Sequence, residues 1–214
     1  MSDESATIYS RAPLQTYLDD AASGKPAPGG GSVSACVGAL GAALVAMVCN
    51  LTVGKEKFAA VEGEMKELVA KADAVRAGLQ LLLQEDTEAY KGVIGAYRLP
   101  KDTDEQKAAR KQAVQAGLIV AANVPFDICR AALEVCRLAK TAAQLGNPAA
   151  ITDAGIGALL GEAAAVSAAL NVRINLGSIE DCDYGQRVAD ELRRILDETA
   201  ALRAEVVRIT DDKL

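Results

Sequence analysis

Histidine is absent from this 214-residue chain, tryptophan is absent too, and phenylalanine occurs only twice. The first absence excludes His-based catalytic triads and takes away the commonest protein ligand for zinc, iron and copper. The shortage of large rings means that a core must be packed from aliphatic and very small side chains, and alanine alone fills about one position in five. A cationic excess is missing as well: 23 Lys and Arg stand against 29 Asp and Glu, a net charge of -6, which leaves no nucleic-acid footprint at the level of overall charge. The five cysteines, Cys36, Cys49, Cys129, Cys136 and Cys182, are odd in number and form no CxxC pair. They read as structural thiols of a reducing cytoplasm, with Cys129 and Cys136 as small buried hydrophobes on one helix face. The opening MSDESATIYSR carries acids and no apolar run suited to export, so the expected location is cytoplasmic.

Strand-type alternation is nearly absent, whereas segments of 3.6-residue periodicity run end to end between Gly and Pro punctuation. The expectation is an all-α protein, an up-and-down bundle of long helices forming a single domain over residues 1–214. A short helix is predicted over Pro13 to Ala22, then a loop from Ser23 to Gly31. The stretch from Ser32 to Gly54 has no charge and is long enough to cross a membrane. Its Gly38, Ala42, Ala46 and Ala35, Ala39, Ala43 rows instead suggest a buried central helix against which neighbours, or another subunit, pack closely. No membrane association is therefore expected.

A long helix from Glu56 to Arg98 places Phe58, Met65, Ala72, Leu79 and Val93 on one heptad position, and Val61, Leu68, Val75, Leu82, Ala89 and Ala96 on its partner. The next helix is predicted from Asp102–Asp104 to Leu145, kinked or split by Pro125. Thr152 or Asp153 is the expected cap of a second interior helix ending near Leu176, and an amphipathic outer helix should cover Asp183 to Asp211.

Asp86 breaks the apolar register of the long helix, and a carboxylate turned into a core needs a partner, a wet cavity or a raised pKa. It is either a functional group or an acid that a small helix rotation brings to solvent or to a Lys or Arg partner. Gly29, Gly30, Gly31 and Ser32 precede a helix, where free amides can cradle an anionic or carbonyl group, although such a run is often just a tight connection. Asn50, Lys55 and Lys57 gather donors at the other end of that helix. Asn171 and Asn175, at i and i+4, share a face with Ser167 and Ser178; they either bond neighbouring backbone or read a heterocycle edge. Asp153 reads first as a cap, and Glu162 as exposed or ion-paired.

The stretches KPAPGGGSVSACVGALGAALVAMVCNLTVGKEKF, QEDTEAYKGVIGAYRLPKDTDEQKAAR, GNPAAITDAGIGAL and AALNVRINL, in this order, resemble the cyclodeaminase/cyclohydrolase family of folate enzymes over residues 13 to 205. The resemblance implies a helical homodimer or higher homo-oligomer that acts on a tetrahydrofolate derivative and has no prosthetic group and no metal. Thr152-Asp153 stands where the family often has Ser-Asp. Because 214 residues leave no room for a transferase half, the activity implied is hydrolysis of 5,10-methenyltetrahydrofolate to 10-formyltetrahydrofolate. Its rivals are the ammonia-releasing cyclodeaminase and a non-catalytic helical scaffold. Under the resemblance Asp86 serves as base or counter-charge. Lys55 and Lys57 meet the glutamate tail of the folate, which would be polyglutamylated, or Lys55 lies closer to the chemistry, and Asn50 is a further substrate-binding residue. Asp153, Asn171 and Asn175 bind the pterin, with Gly29, Gly30, Gly31 and Ser32 packed against it.

Overall fold

The computed structural model describes residues 7–214; the first six residues, which belong to the N-terminal stretch read as lacking an export signal, lie outside the described residues. The described residues contain no strand, only α-helices joined by turns and short 3₁₀ segments: α1 (Leu14–Ala22), α2 (Gly30–Asn50), α3 (Glu62–Tyr97), α4 (Asp104–Leu145), α5 (Ile151–Leu176) and α6 (Cys182–Asp211).

Small side chains decide the centre. Helices α2 and α5 lie antiparallel and in close approach: a Cβ placed on Gly41 would sit 3.0 Å from the Gly157 carbonyl, and one on Gly157 would sit 3.0 Å from Val45 Cγ2. Ala35, Ala42, Ala154, Ala158, Ala165 and Ala168 are fully buried, so this pair forms the inner layer on which α3 and α4 pack. On α3 the apolar register holds, with Met65, Leu68, Ala72, Leu79 and Val93 buried. Helix α6 lies outside, with Val188, Leu192, Ile195 and Val206 inward. Its outer edge is tied to α4 by a ladder of pairs at seven-residue steps, Arg130 with Glu191 and Arg137 with Glu198. Cys129 and Cys136 are buried small residues whose thiols donate to the carbonyls of Ala165 and Ala158, and Glu162 pairs with Arg203 at 2.7 Å.

Four boundaries differ from expectation. Helix α2 starts two residues earlier and gives way after Asn50 to a turn that closes at Gly54, whose φ of 76° is costly for any side chain. The stretch Glu56–Val61 is 3₁₀, so α3 proper starts at Glu62. Helix α4 is not split: it runs through Pro125 without interruption. Helix α5 begins at Ile151 behind a 3₁₀ turn that Asn147 caps, so neither Thr152 nor Asp153 is its cap; Asp153 instead lies in the first turn, where the helix dipole favours an acid.

Helices α2 and α4, and α5 with the turn before it, are each long and apolar enough to cross a membrane by length and composition, and each buries about half of its apolar window inside the bundle. Each of α2 and α5 also exposes apolar side chains: Val33, Leu40 and Met47 recur at seven-residue steps on α2, and Leu159, Val166, Leu170 and Ile174 are exposed on α5.

Candidate active site

The loop before α2, the middle of α3 and the C-terminal end of α5 enclose a cleft of about 390 Å³, bordered by Gly29, Gly30, Gly31, Asp86, Tyr90, Asn171 and Asn175. The chain brings these groups together because α2 starts where antiparallel α5 ends, and α3 passes the first turn of α2 at Asp86.

Asp86 is half-buried, and its Oδ2 accepts the Ser32 N–H at 2.8 Å. That bond has a structural meaning: the cap residue Gly29 has no side chain to offer, and a carboxylate from α3 takes over at the positive end of α2. Burial pushes the Asp86 pKa up, the Ser32 amide offsets part of that rise, and no cation contributes to it. The register break thus marks a carboxylate held at the wall of a cleft without an ion partner among the described residues.

Gly31 makes this approach possible. A Cβ there would lie 2.6 Å from Asp86 Cγ, far inside van der Waals contact. Gly31→Ala is expected to swing the carboxylate away from the Ser32 amide. Alanine is also the better helix former, so Tm should stay near the wild type, while a displacement of this kind should lower kcat about a hundredfold. Thermal melts alongside turnover check this, and full activity in Gly31→Ala would show that the Asp86–α2 contact is dispensable.

Ser32 takes part through its amide, the group expected to act at a helix start. Its side chain is fully buried and meets the Tyr17 hydroxyl at 3.0 Å, away from the cleft, so only its amide serves the site. Burial pushes the Tyr17 hydroxyl up to about 12, so it stays protonated and anchors α1 beneath the first turn of α2.

Asn171 and Asn175 bond neighbouring backbone, the first of the two readings left open for them. Asn171 Nδ2 donates to the Ser167 carbonyl at 3.2 Å; Asn175 Nδ2 donates to the carbonyls of Ala121 at 2.8 Å and Asn171 at 2.9 Å. Both residues also line the cleft.

Asn50, Lys55, Lys57 and Asp153 are not at this cleft. At 1.5 Å per residue α2 is about 30 Å long, and Asn50 with the lysines sits at its far end. Asp153 lies at the N-terminal end of antiparallel α5, the same far end. There Asn50 borders a separate hollow with Asp73 and Arg76, Lys55 is exposed, and Lys57 Nζ lies 4.7 Å from the Phe58 ring centre. The sequence-predicted site residues therefore divide into two groups at opposite ends of α2.

A profile of the formiminotransferase-cyclodeaminase family matches residues 13–212. The chain belongs to that family. It is 42% identical to the methenyltetrahydrofolate cyclohydrolase of Methylorubrum extorquens, over 94% of this chain and 97% of that one. It is 32% identical to the formimidoyltransferase-cyclodeaminase of Rattus norvegicus, over 92% of this chain but 36% of the relative. A crystal structure of formiminotetrahydrofolate cyclodeaminase from Thermotoga maritima superposes with a TM-score of 0.86 at 29% identity, covering 95% of this chain and 98% of that one.

Tyr90, Ile174 and Ala121 also border the cleft and were not singled out from the sequence; Ser178, grouped there with the two asparagines, is at the cleft too. Tyr90 was legible, since it follows Asp86 by one helical turn of four residues within DTEAY and so shares its face. Ala121 was not, because what it offers is a backbone carbonyl.

Proposed function

We propose that this member of the formiminotransferase-cyclodeaminase family is a methenyltetrahydrofolate cyclohydrolase, forming 10-formyltetrahydrofolate from 5,10-methenyltetrahydrofolate and water. The reading is carried by the 42% identity, over nearly the whole of both chains, to an enzyme of that name. The chemistry suits the cleft. The methenyl bridge is a delocalised amidinium cation, electrophilic without metal or redox cofactor, and it needs a base for water and a nearby counter-charge. Asp86 supplies both. It takes a proton from water as the new C–O bond forms; collapse of the adduct breaks the bond to N5, which is protonated while the hydroxyl proton leaves, so one proton is released overall. Asn171, Asn175 and Tyr90 hold the pterin, and Gly29, Gly30 and Gly31 form the surface against it.

The second group of residues finds its place through a second copy of the chain. Covering the exposed Val33–Leu40–Met47 stripe and the exposed apolar side chains of α5 with the same surface of another copy makes an isologous dimer. A two-fold axis crossing the middle of α2 sets the Asn50, Lys55, Lys57 and Asp153 of one protomer beside the cleft of the other. Ile174, 74% exposed at the cleft edge, becomes part of the seam. Asp153, Glu162 and Arg173 along α5 favour a protein partner over lipid, since charges at bilayer depth are costly. The lysines then meet the anionic, polyglutamylated tail, with Lys55 nearest the chemistry. Five free thiols suit the cytoplasm, and the acidic net charge gives no reason to invoke nucleic acid.

The test follows loss of the near-ultraviolet absorbance of the methenyl cation against spontaneous hydrolysis in the same buffer. Enzyme-dependent loss is expected. Absence of acceleration, with ammonia released from formimidoyltetrahydrofolate, would replace this reading by the cyclodeaminase one.

A further inference from the structure

Pro125 sits in mid-helix in α4, fully buried, an unfavourable place for a residue without an N–H. Its absent donor leaves a carbonyl without its helical partner, that of Ala121, four residues back. Ala121 borders the cleft, and the vacated carbonyl is filled from another helix by Asn175 Nδ2 at 2.8 Å. The remaining Nδ2 hydrogen goes to the Asn171 carbonyl at 2.9 Å. Both amide hydrogens are thus committed, and flipping the group would set its oxygen against two carbonyl oxygens, so the network fixes which end is which. What the side chain has left for a ligand is an acceptor, Oδ1.

We propose that Pro125 is a positioning residue for the substrate site: by withholding a hydrogen bond from Ala121 it creates the acceptor that locks Asn175, leaving Oδ1 to accept from an N–H donor of the bound heterocycle. The step that names the ligand rests on the folate reading above; a pterin, with an exocyclic amine and a ring N–H on its pyrimidine edge, offers such donors. The lock itself does not rest on it. Asn175 therefore selects a ring edge that donates, and Asn175→Asp, which would face two carbonyls with a carboxylate, cannot replace it.

Pro125→Ala restores the N–H, which competes for the Ala121 carbonyl and frees one Asn175 hydrogen. KM for the methenyl substrate is expected to rise about tenfold, the scale of one hydrogen bond, with kcat within about twofold of wild type. In an Asn175→Ala background the same change should leave KM unmoved, because the effect travels through that amide. A purely structural Pro125 would shift Tm and leave KM alone, and either that result or additivity in the double variant overturns the proposal. Should Pro125→Ala not fold, the ¹⁵N side-chain amide resonances of Asn175 in the wild type decide: two slowly exchanging hydrogens are expected, and a rapidly exchanging pair overturns the lock. A locked amide in a protein that does not hydrolyse methenyltetrahydrofolate would sink the functional reading and leave the Pro125–Asn175 coupling standing.

Discussion

Asp86→Asn is expected to lower kcat by at least about a hundredfold while its Tm equals or exceeds that of the wild type. The two halves of this result have one cause. Asn keeps an oxygen for the Ser32 amide, so the contact that closes the first turn of α2 survives. What disappears is a charge that the fold holds half-buried with no cation beside it among the described residues. A carboxylate whose folded pKa is raised binds its proton more tightly folded than unfolded. Stability therefore falls as pH rises from the ordinary carboxylate range through the raised value, and it stays lower above that. Asn lacks this penalty. The stabilising effect of the substitution should accordingly be present at neutral pH and vanish in acid, where both forms of the residue are uncharged. In turnover the same shift appears as an acid limb of kcat above the pH expected of an unperturbed aspartate, because the base is available only once deprotonated. Melting curves across pH, with single-turnover absorbance decay, check both. An Asp86→Asn enzyme with near wild-type turnover would mean that Asp86 is only a helix cap supplied from a neighbouring helix.

How far the sequence revealed this site depends on which physical signal each residue leaves. Asp86 was legible because α3 has a periodic apolar face, and one carboxylate in that series is conspicuous at the level of single positions. The glycine run was legible as a helix start but ambiguous in purpose. Only the distance from a Gly31 Cβ to the Asp86 carboxylate shows that its smallness is needed for a contact 55 positions along the chain. The free amides expected at that helix start include that of Ser32, but the group it meets is the chain's own Asp86 carboxylate, a partner 54 positions away that no local reading identifies. Pro125 reads in the sequence as a kink or a split of its helix. The penalty is real, but tertiary packing carries α4 past it, and the unmet carbonyl becomes useful. The largest divergence concerns Lys55 and Asp153. Sequence motifs carry no information on whether two residues meet within one chain or between two, and the 21-residue α2 keeps these groups apart within a protomer.

That division has a quantitative consequence. If each site takes Asp86 from one protomer and Lys55 from the other, an Asp86→Asn chain and a Lys55→Met chain, each nearly inactive alone, should repair one another when mixed and allowed to exchange. Random exchange of equal amounts makes about half of the dimers hybrid. In each hybrid one site holds both substitutions and the other holds neither. One site in four is therefore intact, and activity should recover from about a hundredth to roughly a quarter of wild type. The recovery should appear at the rate of subunit exchange and be absent from a mixture assayed immediately. A charge placed on the stripe, such as Leu40→Glu, should abolish it by separating the protomers, with light scattering reporting the smaller mass and Asp86 left undisturbed in its own chain. Two inactive variants that fail to complement after proven exchange would confine both residues to one protomer's chemistry. The lysines at the far end of α2 would then have no part in the reaction at the cleft.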